Sequence, residues 1–152
     1  MSTAYAPQAA AQKLVIDTNI ALDILVFQEP KVAQLKADLA AGRVQWLATA
    51  VMRDELERVL AYAQIAPRVA FYGLDAAAVL AAFDAQVQLC DTAPKVAVDC
   101  KDGDDQKFLD LAAHEKALLL SKDRQVLKCR KRLEKWGGQI SAVYPVQSLV
   151  LA

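Results

Sequence analysis

Apolar residues fall along the chain in two patterns. Short apolar runs end abruptly in polar residues, and longer stretches carry apolar positions three and four apart. Leu14-Val15-Ile16 is the first short run. It stops at Asp17-Thr18-Asn19, which reads as a buried strand closed by turn-forming residues. Residues 20–27 and 31–41 have helical spacing and are separated by Glu29-Pro30, and Gly42 is placed to stop the second helix. Residues 44–48 suit a second strand. Thr49 is suited to cap a helix whose Val51, Leu56, Val59, Leu60 and Ala63 share one face. Pro67 and Gly73 interrupt the pattern, and Asp75 is a cap for a helix over 76–88. Pro94 to Val98 suits a third strand, 105–116 a helix and 117–120 a fourth strand. Residues 124–136 form a basic amphipathic helix stopped by Gly137-Gly138, Ile140 to Val143 a fifth strand, and Pro145 opens a last short helix or turn.

Strands alternating with helices predict βαβ units. The expected fold class is α/β, a three-layer α/β/α sandwich around a central, mainly parallel sheet of about five strands. A length of 152 residues suits one domain, since two would each have too little core. It is expected over residues 13–152, behind an Ala/Gln/Ser-rich flexible tail over residues 1–12. No apolar run approaches the roughly 20 residues that cross a bilayer, and the first twelve residues lack the basic and apolar regions of a secretory signal. A cytoplasmic protein with no membrane partner is expected.

Composition narrows the chemistry. Lys+Arg and Asp+Glu each number 18, so the net charge is zero, and binding nucleic acid by bulk attraction is disfavoured. Any phosphate contact must come from a local basic patch or a metal ion. The three cysteines, Cys90, Cys100 and Cys129, are odd in number and widely spaced, which speaks against a disulfide framework or a zinc site. With His114 the only histidine, a His-rich metal site or a hydrolase triad has little raw material.

The acids are better placed than their number suggests. Asp17 follows the first strand, Asp123 lies just past the fourth, and Asp102, Asp104 and Asp105 precede a helix. Glu55 sits within the helix after strand two. In a parallel sheet these points share the carboxyl edge, where open α/β sheets carry their sites. Carboxylates so gathered repel one another unless cations neutralise them, and oxygen-only ligation suits Mg²⁺ or Mn²⁺. Each acid also has a plainer reading: Asp17 in an Asx turn, Asp104 and Asp105 favouring a helix start, Glu55 on a solvated helix face, Asp123 as a cap.

Four segments in order resemble a known family. LVIDTNIAL (14–22), DELERVL (54–60), DGDDQKFLDLAA (102–113) and LLLSKDRQVL (118–127) are similar to the four motifs of the PIN-domain ribonucleases, in particular the subgroup described as toxin components of toxin–antitoxin systems. The resemblance covers about residues 13 to 150. It implies an acidic catalytic site of Asp17, Glu55, Asp105 and Asp123, with Asp104 a further candidate metal ligand and Asp102 in a supporting or turn position. Thr18, Asn19 and Ser121 match polar positions that orient ligands or the attacking water. Two positions depart from the family pattern: Lys122 stands where Gly is frequent before the last Asp, and Gly103 where Pro is frequent.

What the resemblance implies is hydrolysis of RNA phosphodiesters by a Mg²⁺- or Mn²⁺-dependent endoribonuclease, leaving a 5′-phosphate and a 3′-hydroxyl. It also implies an antitoxin protein partner and a homodimer, for which the Ala-rich stretch 76–85 with residues 20–27 could supply the face. Lys122, Arg124, Lys128 and Lys131 are the candidate RNA contacts, the plainer reading being a solvated helix face. Trp46 and Trp136 are expected to pack in a core or interface, with base stacking as the alternative. The competing function is a catalytically silent interaction module whose acids bind a partner's basic segment. An aspartate-based phosphatase would need Asp-x-Asp after strand one, and this chain has Asp17-Thr18-Asn19.

Overall fold

A computed structural model describes residues 11–144. Most of the expected N-terminal tail and the helix or turn expected from Pro145 lie outside these residues, and Gln12 already belongs to a strand. Five strands make one sheet in the order β3-β2-β1-β4-β5, every pair parallel. They are β1 (Gln12–Ile16), β2 (Val44–Thr49), β3 (Val87–Cys90), β4 (Leu118–Leu120) and β5 (Gln139–Ser141). The fold is α/β, as the alternation of runs predicts.

The strands at the middle of the sheet are apolar and buried where they pair. Leu14, Val15 and Ile16 are buried, as are Leu118, Leu119 and Leu120 beside them, because a parallel strand in the middle of a sheet is covered on both faces. The register sets Ile16 against Leu120. The ladder runs one residue further, where the Asp17 N–H donates to the Leu120 carbonyl at 3.0 Å. Asp17 thus leaves the sheet at the point where the chain order reverses: β2 and β3 lie to one side of β1, β4 and β5 to the other. Open α/β sheets place their crevice at such a switch point.

The helices are α1 (Thr18–Leu22), α2 (Ala33–Ala40), α3 (Ala50–Leu60), α4 (Ala66–Phe71), α5 (Ala76–Gln86), α6 (Gln106–Glu115), α7 (Arg124–Leu127) and α8 (Arg130–Glu134). A π-helical turn, Asp23–Phe27, continues α1, so the helix expected over 20–27 is wound in two ways. Gly42 stops the second helix as expected, at φ 75°, which a side chain would strain. Thr49 caps α3 by accepting from the Met52 N–H at 3.3 Å. The buried face of α3 is Met52, Leu56 and Leu60, and Val51 is exposed, one position off the expected face.

Three expectations need correction. Pro94 to Val98 is not a strand. Val96 and Val98 are buried in alternation, but their backbone is satisfied by α6: Val96 N–H donates to Asp110 Oδ1 at 3.0 Å, and Gln106 Nε2 donates to the Val98 carbonyl at 2.9 Å. With these groups satisfied by side chains, no sheet partner is required. The third strand is Val87–Cys90, so the helix expected over 76–88 ends at Gln86. The basic helix over 124–136 is broken into α7 and α8 at Lys128-Cys129, where Cys129 is buried. Trp46 is a core residue, edge-on to Phe83 with ring centroids 5.4 Å apart. Trp136 is half exposed and lies outside the core. No helix among the described residues is long and apolar enough to cross a membrane.

Candidate metal centre

Four of the six candidate acids sit where a segment turns from extended backbone into a helix, and three of these cap the turn. Asp17 caps α1, its Oδ1 accepting from the Ile20 N–H at 3.0 Å. Asp123 caps α7, its Oδ1 accepting from the Gln125 N–H at 2.7 Å. Asp102 caps a 3-10 turn, Gly103–Asp105, its Oδ1 accepting from the Asp104 N–H at 3.0 Å. Asp105 precedes α6 and makes no capping bond. Capping and ligation are therefore not alternatives. A carboxylate has about four lone-pair sites, so one capping bond on Asp17 or Asp102, or two on Asp123, leave others free for a ligand.

Asp102, Asp105 and Asp123 come together. Each offers a carboxylate oxygen, and the three oxygens lie within 4.8 Å of one another. Asp102 and Asp105 are three residues apart on a turn with three residues per revolution, so they project from the same side. Asp104 does not join them. It is exposed, and its carbonyl accepts from the Lys107 ammonium.

The electrostatics follow from this crowding. Burial, then the charges of Asp123, Asp102, Asp17 and Glu55, push the Asp105 carboxyl up to about 7. Asp17, which is 5% exposed, is raised chiefly by burial, against the pull of hydrogen bonds from Ser121 and the Ile20 N–H and of the Lys122 charge. Ser121 is fully buried between the two acids. It bonds the Asp17 side chain, and its Oγ accepts from the Asp123 N–H at 3.1 Å. One hydroxyl thus ties the end of β1 to the end of β4.

Glu55 and Thr18 form a second group. Thr18 Oγ1 donates to Glu55 Oε2 at 2.6 Å, and the Lys107 ammonium pairs with Glu55 Oε1. Asn19 is exposed in α1. Lys122 is engaged by Asp23 at 2.8 Å. Arg124, Lys128 and Lys131 are exposed on the α7–α8 side. A cavity of about 280 Å³ shares Ile20, Asp23, Leu120 and Lys122 with this edge, but none of Asp102, Asp105 and Asp123 lines it. The acid cluster lies open to solvent at the sheet edge.

The donor set fits a hard divalent cation. It is oxygen only, it carries several negative charges, and all its members but Asp105 are pre-positioned by caps that do not depend on the ion. The thiols of Cys100 and Cys129 are buried, leaving carboxylates as the ligands on offer at the cleft. Sequence reasoning assigned Asp102 a supporting place. The signal that promotes it is the spacing Asp102-x-x-Asp105 across a short turn.

Comparison with known proteins agrees with this architecture. A family model of the PIN domain matches residues 13–125. Eight chains of solved structures match the fold. One belongs to the crystal structure of VapBC2 from Rickettsia felis bound to a DNA fragment from their promoter. It is 14% identical, has a TM-score of 0.56, and the match covers 86% of this chain and 98% of that one. No curated protein matches the sequence. The matched stretch takes in β1, Glu55, the acidic turn and Asp123, and this chain belongs to the PIN-domain family.

Proposed function

We propose that this protein is a Mg²⁺- or Mn²⁺-dependent endoribonuclease, the toxin-like member of a toxin–antitoxin pair, acting in the cytoplasm. The observation that carries the reading is the convergence of Asp102, Asp105 and Asp123 within 4.8 Å, with Asp17 close enough to repel Asp105. PIN domains are generally nucleases, and the fold neighbour VapBC2 is bound to promoter DNA, which supports a partner protein for this chain.

Asp17, Asp102, Asp105 and Asp123 are the proposed ligands. A divalent ion held by these residues would supply Lewis acidity to the scissile phosphate and lower the pKa of water toward neutrality. The protein supplies the rest. Ser121 fixes the orientation of Asp17 and Asp123 relative to each other. The caps hold Asp17, Asp102 and Asp123 in one rotamer each, so little reorganisation is needed on loading. Thr18 holds Glu55 at the rim of the cleft. Because the cleft is acidic, the RNA is gripped elsewhere: Arg124, Lys128 and Lys131 contact flanking phosphates and make binding salt-dependent.

The test uses single-stranded RNA with the whole chain and Mn²⁺, with EDTA, and with Asp17→Asn. Cleavage that needs the metal and is lost in the variant is the expected result. No cleavage of varied RNAs, together with tight binding to a protein encoded beside it, selects the silent interaction module.

A further inference from the structure

Glu55 matches a metal ligand of the family by sequence, yet its charge is already answered from within the protein. Thr18 Oγ1 bonds one oxygen at 2.6 Å, and the Lys107 ammonium pairs with the other. The Lys107 and Glu55 side chains are only 20% and 18% exposed, so solvent screens the pair weakly. Lys107 is fixed from other directions too. Its ammonium donates to the Asp104 carbonyl and stands 5.0 Å from the Phe108 ring centroid. α6 places Lys107 two residues after Asp105, so the same turn that delivers an acid to the cleft delivers a cation to the neighbouring acid.

This divides the site. On one side are three carboxylates with oxygens in mutual reach and, among the described residues, no ammonium paired with them. On the other is a carboxylate whose charge is met by an ammonium and whose second oxygen holds the Thr18 hydroxyl. With Asp17, Asp102, Asp105 and Asp123 assigned to the first ion, Glu55 is the remaining acid that acts on Asp105, and a second divalent ion, roughly 3.5–4 Å from the first in two-metal sites, would draw on it. It would have to displace the ammonium and sit against its positive charge. We propose that Lys107 is a built-in counter-ion that takes Glu55 out of the donor set and limits the centre to one divalent ion. This rests on the reading of the acid cluster as a metal centre. Lys107 is a positioning residue, acting through Glu55.

The experiment is a titration of the whole, metal-stripped chain with Mn²⁺, read by the electron paramagnetic resonance of the free ion. Wild type binds one ion. Glu55→Gln also binds one, with affinity within about twofold, because Glu55 is not a ligand. Lys107→Met frees Glu55 and binds two, and the double variant returns to one. Two ions on wild type, an affinity loss of about tenfold or more in Glu55→Gln, or a single ion on a folded Lys107→Met each overturn the proposal. Should Lys107→Met not fold, Glu55→Gln decides alone. No ion on any of the proteins overturns the metal centre itself, and this inference with it; the other contrary outcomes leave the metal centre standing.

Discussion

Asp84 and Asp105 are two aspartates of one chain held in opposite states. Asp84 lies on α5 and receives a two-pronged bond from the Arg53 guanidinium at 2.8 and 2.9 Å, which holds its carboxyl below the ordinary value. Asp38 and Asp99 are treated alike, by Tyr144 and by Lys95. Asp105 has other acids around it instead and is pushed up to about 7. Elsewhere on the chain Asp23, Asp38, Asp84, Asp99 and Glu115 each have a cation of their own. At the carboxyl edge of β1 and β4 the acids were gathered and the partner withheld, and the fold bears that repulsion. A surface that needed only solubility would distribute its charges as the Arg53–Asp84 region does.

The comparison breaks most visibly at the acids themselves. Asp105→Asn or Asp123→Asn should lower Mn²⁺-dependent RNA cleavage by more than about 100-fold, since even outer-shell changes at metal centres cost roughly 10–100-fold. Initial rates at saturating Mn²⁺ measure this. Ser121→Ala should weaken Mn²⁺ binding by roughly 10–100-fold. It should also destabilise the fold by about 0.5–1.5 kcal/mol, because it takes the acceptor from the part-buried Asp123 N–H; titration and chemical denaturation read the two effects separately.

pH sharpens the contrast. Without metal, Asp105 titrates near 7 in the folded protein and near 3.8 when unfolded. Its extra proton favours the folded state fully below the unfolded value, and that advantage is gone once pH has risen through about 7. Asp105→Asn is neutral throughout. In EDTA it should therefore melt higher than wild type at about pH 8, with the gap closing toward about pH 4. With Mn²⁺ present the order at about pH 8 should invert, and Mn²⁺ affinity should fall as pH drops below about 7.

Smaller effects follow away from the acids. Lys128→Glu with Lys131→Glu should weaken RNA binding several-fold at low salt and flatten its salt dependence, with Mn²⁺ affinity nearly unchanged. Filter binding over a salt series tests this. Asp84→Asn should change Mn²⁺ affinity and cleavage by less than about twofold, as expected of a solvent-screened pair outside the acid cluster. A large effect there would erase the distinction between the two regions.

Much of this edge was readable in the chain because its signals are local. Leu14-Val15-Ile16 ending in Asp17, and Leu118-Leu119-Leu120 ending in Ser121-Lys122-Asp123, each carry the strand and the acid within a few residues. What escaped depends on partners distant in sequence. Residues 94–98 alternate like a strand, but Gln106 and Asp110 satisfy their backbone from a helix, while Val87–Cys90 follows α5 with no turn residue to mark the change. Sequence reasoning gives Asp102 a supporting or turn place, and the 3-10 turn over 103–105 sets its carboxylate beside that of Asp105. Lys107 reads as an ordinary helix cation until folding sets it against Glu55, fifty-two positions away.

The most direct test of the central claim is an anomalous-scattering map from crystals grown with Mn²⁺. A peak between the carboxylates of Asp102, Asp105 and Asp123, within ligand distance of all three, is the predicted result. A fully ordered cleft with no peak there, or with Mn²⁺ bound only at other acids, would contradict it.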